Sequence, residues 1–408
     1  MKLLFGLALR NALRSPARTG LTALTIVLGT ALLTLSTSWL TGVFEETLAS
    51  AAEPVGHVRI AQPDYARREA LLPLYENIED TAPVLALLRD QPGVQGAYPR
   101  ITAPITLSID QDLGEVRGLA IGAPIAWYRE RLALHEDLAQ GRLPEGPEEV
   151  VLGATLAKRL GATLGAELIV LGQTQDGSLS PLKAKVVGVA SGGSAQVDLA
   201  AFFPLDRLQW MTDIPDGATE ILVYATDRDE DVALASQISA LDIGDLVVEP
   251  WSQRSPWDAL LGMIVLVRNM LNSTIVFVTA LGVWNTMMMS VMERQAEIGV
   301  MRAMGMSRAG AVILFVIEAI AIAVIGGIIG VSVGAVGSIY LESHGIDLGS
   351  RVAANLPIAV NTRLYADFTP EVAISAFLLG LLMAVLGSAV PALRAAAIQP
   401  VEAIRANR

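Results

Sequence analysis

The sequence predicts a membrane protein of four transmembrane α-helices, with a large α+β extracytoplasmic domain between helices 1 and 2. Three observations predict it. Four nearly uncharged runs, 19–44, 269–292, 309–341 and 372–393, each exceed the roughly 20 apolar residues that cross a bilayer. The 214 residues from 45 to 258 are instead mixed in character and rich in charge. Finally, 52% of the 408 residues are hydrophobic while 17% are charged, which suits spans joined to a water-exposed domain.

The first run is too long for the apolar core of a cleaved signal peptide, about 7–15 residues, and Glu45 and Glu46 follow it directly. Orientation follows from the basic residues. Residues 1–18 carry Lys2, Arg10, Arg14 and Arg18; residues 293–308 carry Arg294, Arg302 and Arg308; residues 394–408 carry Arg394, Arg405 and Arg408. These ten face only Glu293, Glu297 and Glu402 among acids, so all three segments and both termini are expected in the cytoplasm. The loop 342–371 and the domain 45–258 are expected outside, the latter with 16 basic against 33 acidic residues, a net of −17. Such a surface repels nucleic acid and an anionic leaflet alike.

Within the outer domain, β-rich or alternating stretches at 58–61, 101–109, 116–121, 167–171, 182–189 and 220–226 read as strands. Helices are expected at 82–90, where Pro83 suits a first turn, at 154–160 and at 231–241. The run 141–190 reads as a small β-rich insert with an Asp176-Gly177 hairpin turn. Apolar residues from 259 lead straight into the second span, so 259–292 is expected to form a stalk and a span in one helix.

The chemistry is mostly one of exclusions. With no cysteine, thiolate nucleophiles, thiolate metal sites and disulfides are ruled out. His57, His135 and His344 are scattered, with no metal-binding spacing. None of Lys2, Lys158, Lys183 and Lys185 follows a glycine, so the phosphate-wrapping Gly-Lys of a Walker A loop is missing. No catalytic residue, metal or cofactor is therefore expected on this chain.

The segment after the second span is the informative one. Ile298, Met301 and Met304 form an apolar stripe, Arg294 and Glu297 are neighbours on one face, Gly305 is a helix stop and Ser307 a cap for the third span. A short helix with methionine on its apolar side suits a partner's groove. The run from Met289 to Ser307, MSVMERQAEIGVMRAMGMS, resembles the cytoplasmic segment of FtsX/MacB-type ABC transporter permeases. Residues 387–405, GSAVPALRAAAIQPVEAIR, are similar to that family's C-terminal signature, and 7–14 to its N-terminal amphipathic helix, expected over 1–18. Gly56-His-Val-Arg-Ile60 and Asn361-Thr-Arg-Leu-Tyr-Ala-Asp367 resemble the lipoprotein-releasing, LolC/LolE-like branch.

The resemblance implies a multi-pass permease subunit of the bacterial inner membrane, most akin to those acting in lipoprotein release. The alternatives are MacB-like efflux with an adaptor and outer-membrane channel, and FtsX-like signalling to a cell-wall hydrolase. It implies a cytoplasmic ABC ATPase dimer that holds the ATP and Mg, a second permease copy or paralogue, and a periplasmic carrier or adaptor, with no nucleic acid. Glu293, Arg294, Glu297, Ile298, Met301 and Arg302 would contact the ATPase.

Two features lie within the third span. Glu318 is an intramembrane carboxylate, either functional or paired with a cytoplasmic-side arginine. Gly326, Gly330 and Gly334 form a row that permits close helix approach. The predicted topology is checked with single cysteines and an impermeant maleimide in cells whose outer membrane is permeabilised. Ser178→Cys should react and Ser307→Cys should not; labelling of Ser307→Cys from outside would reverse the orientation.

Overall fold

On the first long helix, Pro16–Ala52, four leucines point outward while several hydroxyls lie inside with Leu33 and Leu40. Leu21, Leu24, Leu28 and Leu32 are exposed, while Thr22, Thr30, Thr34 and Ser38 are buried. Lipid tails are as apolar as leucine, so helices associate in a membrane through close packing and hydrogen bonds, which favours small and hydroxylated residues inside. The Thr30 and Thr34 hydroxyls donate to the carbonyls of Ile26 and Thr30, each at 2.8 Å, so their burial leaves no donor unanswered.

The computed structural model describes residues 16–109, 114–191, 195–347 and 363–398. The expected N-terminal helix up to residue 15, the middle of the loop before the fourth span and the tail beyond 398 lie outside them. The described chain falls into a unit of long helices and a second unit formed by the segment between 47 and 261. Four helices are long and apolar enough to cross a membrane: the first within Thr19–Glu45, then Trp257–Glu293, Arg308–His344 and Pro370–Ala397. At 1.5 Å per residue the 37-residue Trp257–Glu293 helix is about 55 Å long, well beyond the roughly 30 Å hydrocarbon core.

The glycine row of the third span lies against the first helix. A methyl group on Gly334 would come 2.6 Å from Thr34 Cβ and 2.8 Å from the Ala31 carbonyl, and one on Gly330 2.6 Å from the Val27 carbonyl. At Gly326 the Ala23 carbonyl is 3.2 Å away. The same device recurs at other pairs: Gly282 of the second span faces Thr25 at 2.7 Å, and Gly387 of the fourth faces the Ala280 carbonyl at 2.6 Å.

The second unit contains ten strands: β1 (Val58–Ala61), β2 (Val94–Ser108), β3 (Val116–Ala123), β4 (Leu138–Gly141), β5 (Glu149–Gly153), β6 (Glu167–Gln173), β7 (Leu179–Ala190), β8 (Ala200–Pro204), β9 (Glu220–Ala225) and β10 (Val247–Pro250). They run in the order β10-β1-β9-β2-β3-β8-β5-β7-β4, and β6 bonds both β2 and β7. That double pairing closes β2-β3-β8-β5-β7-β6 into a ring. Ile105, Leu107, Val150, Leu168, Val170, Leu182 and Phe203 fill a common core there, with Leu208 and Met211 from the helix Leu205–Thr212.

The expected insert at 141–190 is corrected by this ring. Its strands are not a separate module, because β5 pairs with β8 and β6 with β2, so its hydrogen bonds close only through the rest of the domain. The strand expected from 101 begins at Val94. Its first half, Val94–Arg100, pairs with β9 and its second half with β3 and β6, so one long strand serves two cores. The second core lies under the helices Ala82–Arg89 and Asp231–Ser239, with Leu88, Ile221, Val223, Leu234 and Ile238.

A buried ionic network stands between these cores. Arg100 donates through Nη2 and Nε to Glu220 Oε1 at 2.9 and 3.1 Å. Arg59 reaches Glu69 at 2.6 Å and also Glu249, and Arg254 reaches Glu69 at 2.9 Å. Burial pushes the Glu220 carboxyl up, but the Arg100, Arg59 and Arg254 guanidiniums outweigh it and hold the group below its ordinary value.

Two predictions follow from this packing. With a folded-state pKa below the unfolded one, Glu220 adds stability that is complete above the ordinary glutamate range and lost as pH falls through the depressed value. Glu220→Gln should cost the outer domain about 3 kcal/mol at neutral pH, with the gap to wild type closing as pH falls below the ordinary glutamate range in thermal unfolding. A pH-independent gap would remove the charge as its cause. In the bundle, Gly330→Leu has no room against Val27 and Thr30 and should lower the detergent-solubilised melting temperature, through overpacking of about 1–3 kcal/mol or more. Gly20→Leu, with nothing within 4 Å, should not.

Candidate functional site

The second long helix stops at Glu293 and a separate helix, Gln295–Ala303, follows. Between them Arg294 leaves helical geometry at φ −105° and ψ 17°. The break turns its guanidinium toward the third span, where Nη1 lies 3.4 Å from Glu318 Oε2 and Nε 3.3 Å from Glu297 Oε2. Glu318 is only 4% exposed, and a buried carboxylate in an apolar helix calls for a cation of this kind.

The other end of the short helix closes as its glycine suggests. Gly305 has φ 102°; its N–H donates to the Arg302 carbonyl at 3.1 Å and the Met306 N–H to the Met301 carbonyl at 3.1 Å. This is the paired-bond Schellman arrangement, which needs a left-handed residue just past the helix end. Ser307 then caps the third span, its hydroxyl oxygen accepting from the Gly310 N–H at 3.0 Å.

The six residues expected to face a partner divide between two faces. Glu293 and Glu297 are exposed. Ile298 is 1% exposed, in a cluster with Val291, Phe315 and Ala395, and Met301 packs against the same cluster. Arg302 donates through Nη1 to the carbonyls of Ala396 and Ile398, at 2.6 Å each. Those carbonyls end the fourth helix, where the last turn lacks internal partners and carries partial negative charge. The expectation of Ile298 and Arg302 as surface contacts is therefore corrected: one anchors the segment in the bundle core and the other caps a neighbouring helix. Arg294, with its side chain 15% exposed, belongs with them.

The face left outward is Val300, Ala303 and Met304, with Glu297 beside it; Met304 is 76% exposed. Met304 belonged to the expected stripe, but Val300 was missed. The signal was available: at 100° per residue Val300 lies opposite Ile298, so only one of them can face inward. Among the described residues no group of His, Cys, Asp and Glu could hold a metal. What the geometry offers is mechanical, a short helix fastened at both ends to two other spans.

Residues 19–241 match the family described as MacB-like periplasmic core domain, and residues 269–400 match FtsX-like permease C-terminal. The lipoprotein-releasing system transmembrane protein LolC of Xylella fastidiosa is 29% identical over 344 residues, 80% of this chain and 82% of that protein. LolC of Neisseria meningitidis serogroup B is 23% identical over 355 residues, 79% of this chain and 80% of its own. The periplasmic region of MacB from Actinobacillus actinomycetemcomitans aligns with 52% of this chain and 95% of that one, at 17% identity and a TM-score of 0.36. With one family match covering more than half of the sequence and the other most of the remaining spans, the chain belongs to the FtsX/MacB-type ABC transporter permeases.

Proposed function

We propose that this permease subunit serves lipoprotein release from the inner membrane, driven by a separate cytoplasmic ATPase dimer that docks on the helix Gln295–Ala303. Both termini lie in the cytoplasm, a second permease copy or paralogue completes the membrane unit, and a periplasmic carrier or adaptor receives the cargo. The observation that carries the mechanical part is the double fastening of that helix. Arg294 ties its start to Glu318 of the third span, and Arg302 ties its end to the carbonyls that finish the fourth. A push on Val300 and Met304 therefore moves second, third and fourth spans together rather than bending a free loop. Rigid-body motion of this sort can carry work from ATP to the far side of a membrane without a pore.

Release is favoured over efflux by the extent of the likeness. The LolC match spans 80% of the chain, whereas the macrolide export protein MacB of Nitrobacter winogradskyi matches over 31%.

The docking surface is tested with the double variant Glu297→Lys/Met304→Ala. It removes an exposed apolar anchor and reverses a rim charge, and each such loss is expected to cost about 1–2 kcal/mol of binding. Co-purification of the co-expressed ATPase should fall at least about tenfold; because Glu297 also holds Arg294, Met304→Ala alone is the variant that should weaken capture with the melting temperature of the permease kept. Ile298→Ala, by contrast, should lower the melting temperature. Full ATPase capture by the double variant would place the docking surface elsewhere.

A further inference from the structure

The second long helix, Trp257–Glu293, is the least covered of the four spans. In their most apolar stretches the other three have 33% to 44% of their residues buried, and the second has 6%. Its bare side is ordered. Met263, Met270, Phe277 and Trp284 recur at every seventh residue, all between 41% and 63% exposed, with Leu266 and Leu281 exposed among them. At 100° per residue these six lie within an arc of about 60°, and the row runs about 32 Å along the helix. A seven-residue repeat of large apolar side chains is the seam by which one helix pairs with another in a coiled coil.

Lipid cannot cover the whole row. This helix runs antiparallel to the first long helix, with Gly282 against Thr25, Thr279 against Gly29 and the Thr37 hydroxyl donating to Asn272 at 3.3 Å. Carried on, that register puts Met263 level with Glu45, the charge that ends the first span. Counted from Glu293, the roughly 20 residues that cross the hydrocarbon end near Thr274. Met263 and Leu266 therefore stand beyond it, with 62% and 58% of their surface bare. What covers both the part in lipid and the part beyond is a helix as long as this one.

Symmetry and charge identify that helix. Two copies of one chain share an orientation in the membrane, so a two-fold axis along the membrane normal brings a helix against the same helix, parallel and level. Every seam residue then meets its own copy, and a charge on the seam would repel itself. Between residues 259 and 292 the only charge is Arg268, on the face opposite Phe277. Asn269 and Ser273 flank the row, and no described residue bonds their side chains. Across a two-fold axis such an amide is answered by its own copy. Phe277, Leu281 and Trp284 also form one wall of a groove of about 840 Å³, with Leu382, Leu386 and Val390 of the fourth helix as the other wall, which leaves room for the partner's rings. We propose, on the footing of the second permease inferred above, that the row from Met263 to Trp284 is the contact with a second copy of this chain, whose own Trp257–Glu293 helix pairs with it in parallel.

The chain has no cysteine, so single cysteines report proximity without background. In cell membranes with the ATPase co-expressed, the full chain carrying Met263→Cys, Met270→Cys or Phe277→Cys should form a disulfide-linked dimer on mild oxidation with copper phenanthroline. Leu271→Cys and Val278→Cys lie about 100° round the helix from the row and should link at least about tenfold less. All five positions are exposed, so the fold should survive each change. Native mass spectrometry of the extracted complex counts the copies, and two are expected. A two-copy mass without the preference for 263, 270 and 277, whether all five link alike or none does, would overturn this face and leave the second permease standing. So would one copy beside a different permease. One copy and no other permease, the row then covered by lipid and water, would overturn both.

Discussion

Glu318 is a carboxylate inside an apolar helix, and the arrangement at the end of the bundle that carries Gln295–Ala303 follows from answering it. A charge at that depth needs a cation within reach, and the third span itself offers none nearby. Arg294 supplies it, but only because the chain leaves helical geometry there and starts a new helix one residue later. The new helix then lies in a fixed direction, with Ile298 directed into the core and Val300 and Met304 directed out. One buried charge thus sets the position of the helix Gln295–Ala303, its orientation and its outward face. An uncharged residue at 318 would relieve that constraint, and Arg294 could continue the second span.

The membrane unit otherwise holds together by smallness. Hydrophobicity cannot choose between lipid and a neighbouring helix, so the choice falls to shape. Glycines at every fourth residue of the third span bring it against Ala23, Val27 and Ala31 of the first helix, and the hydroxyls of Thr30 and Thr34 return to their own backbone. Leu21, Leu24, Leu28 and Leu32 are left for the lipid. Contacts so close tolerate little sliding.

Legibility in the sequence followed the range of the interactions. The four spans depend on composition over about 20 residues, and the glycine row and the Ser307 cap on spacing of three or four, so all could be read in advance. The strands at 58–61 and 220–225 were legible for the same reason. What could not be read was closure. Nothing local in β6 states that it will pair with both β2 and β7, so the run 141–190 passed for an insert when it is part of a ring. Arg302 is the same case at a single residue: a basic group in a last helical turn reads as a surface charge, and its two carbonyl partners lie 94 and 96 residues away. Ile298 was misread although its phase was in plain view, because a methionine-rich stripe suggested a groove-seeking face while the bundle's own core was the nearer groove.

Two of the deeply buried carboxylates, Glu220 and Glu318, show how differently such a group can be answered. Glu318 meets Arg294, which is itself held by Glu297, so the charge is answered from the chain and the result is rigidity. At Glu220 three arginines provide the counter-charge but only one oxygen receives their hydrogen bonds. Charge balance and hydrogen-bond balance are separate requirements, and the outer domain meets the first without the second. Neutrality keeps the carboxylate ionised and the fold intact, while one of its oxygens stays without a donor among the described residues.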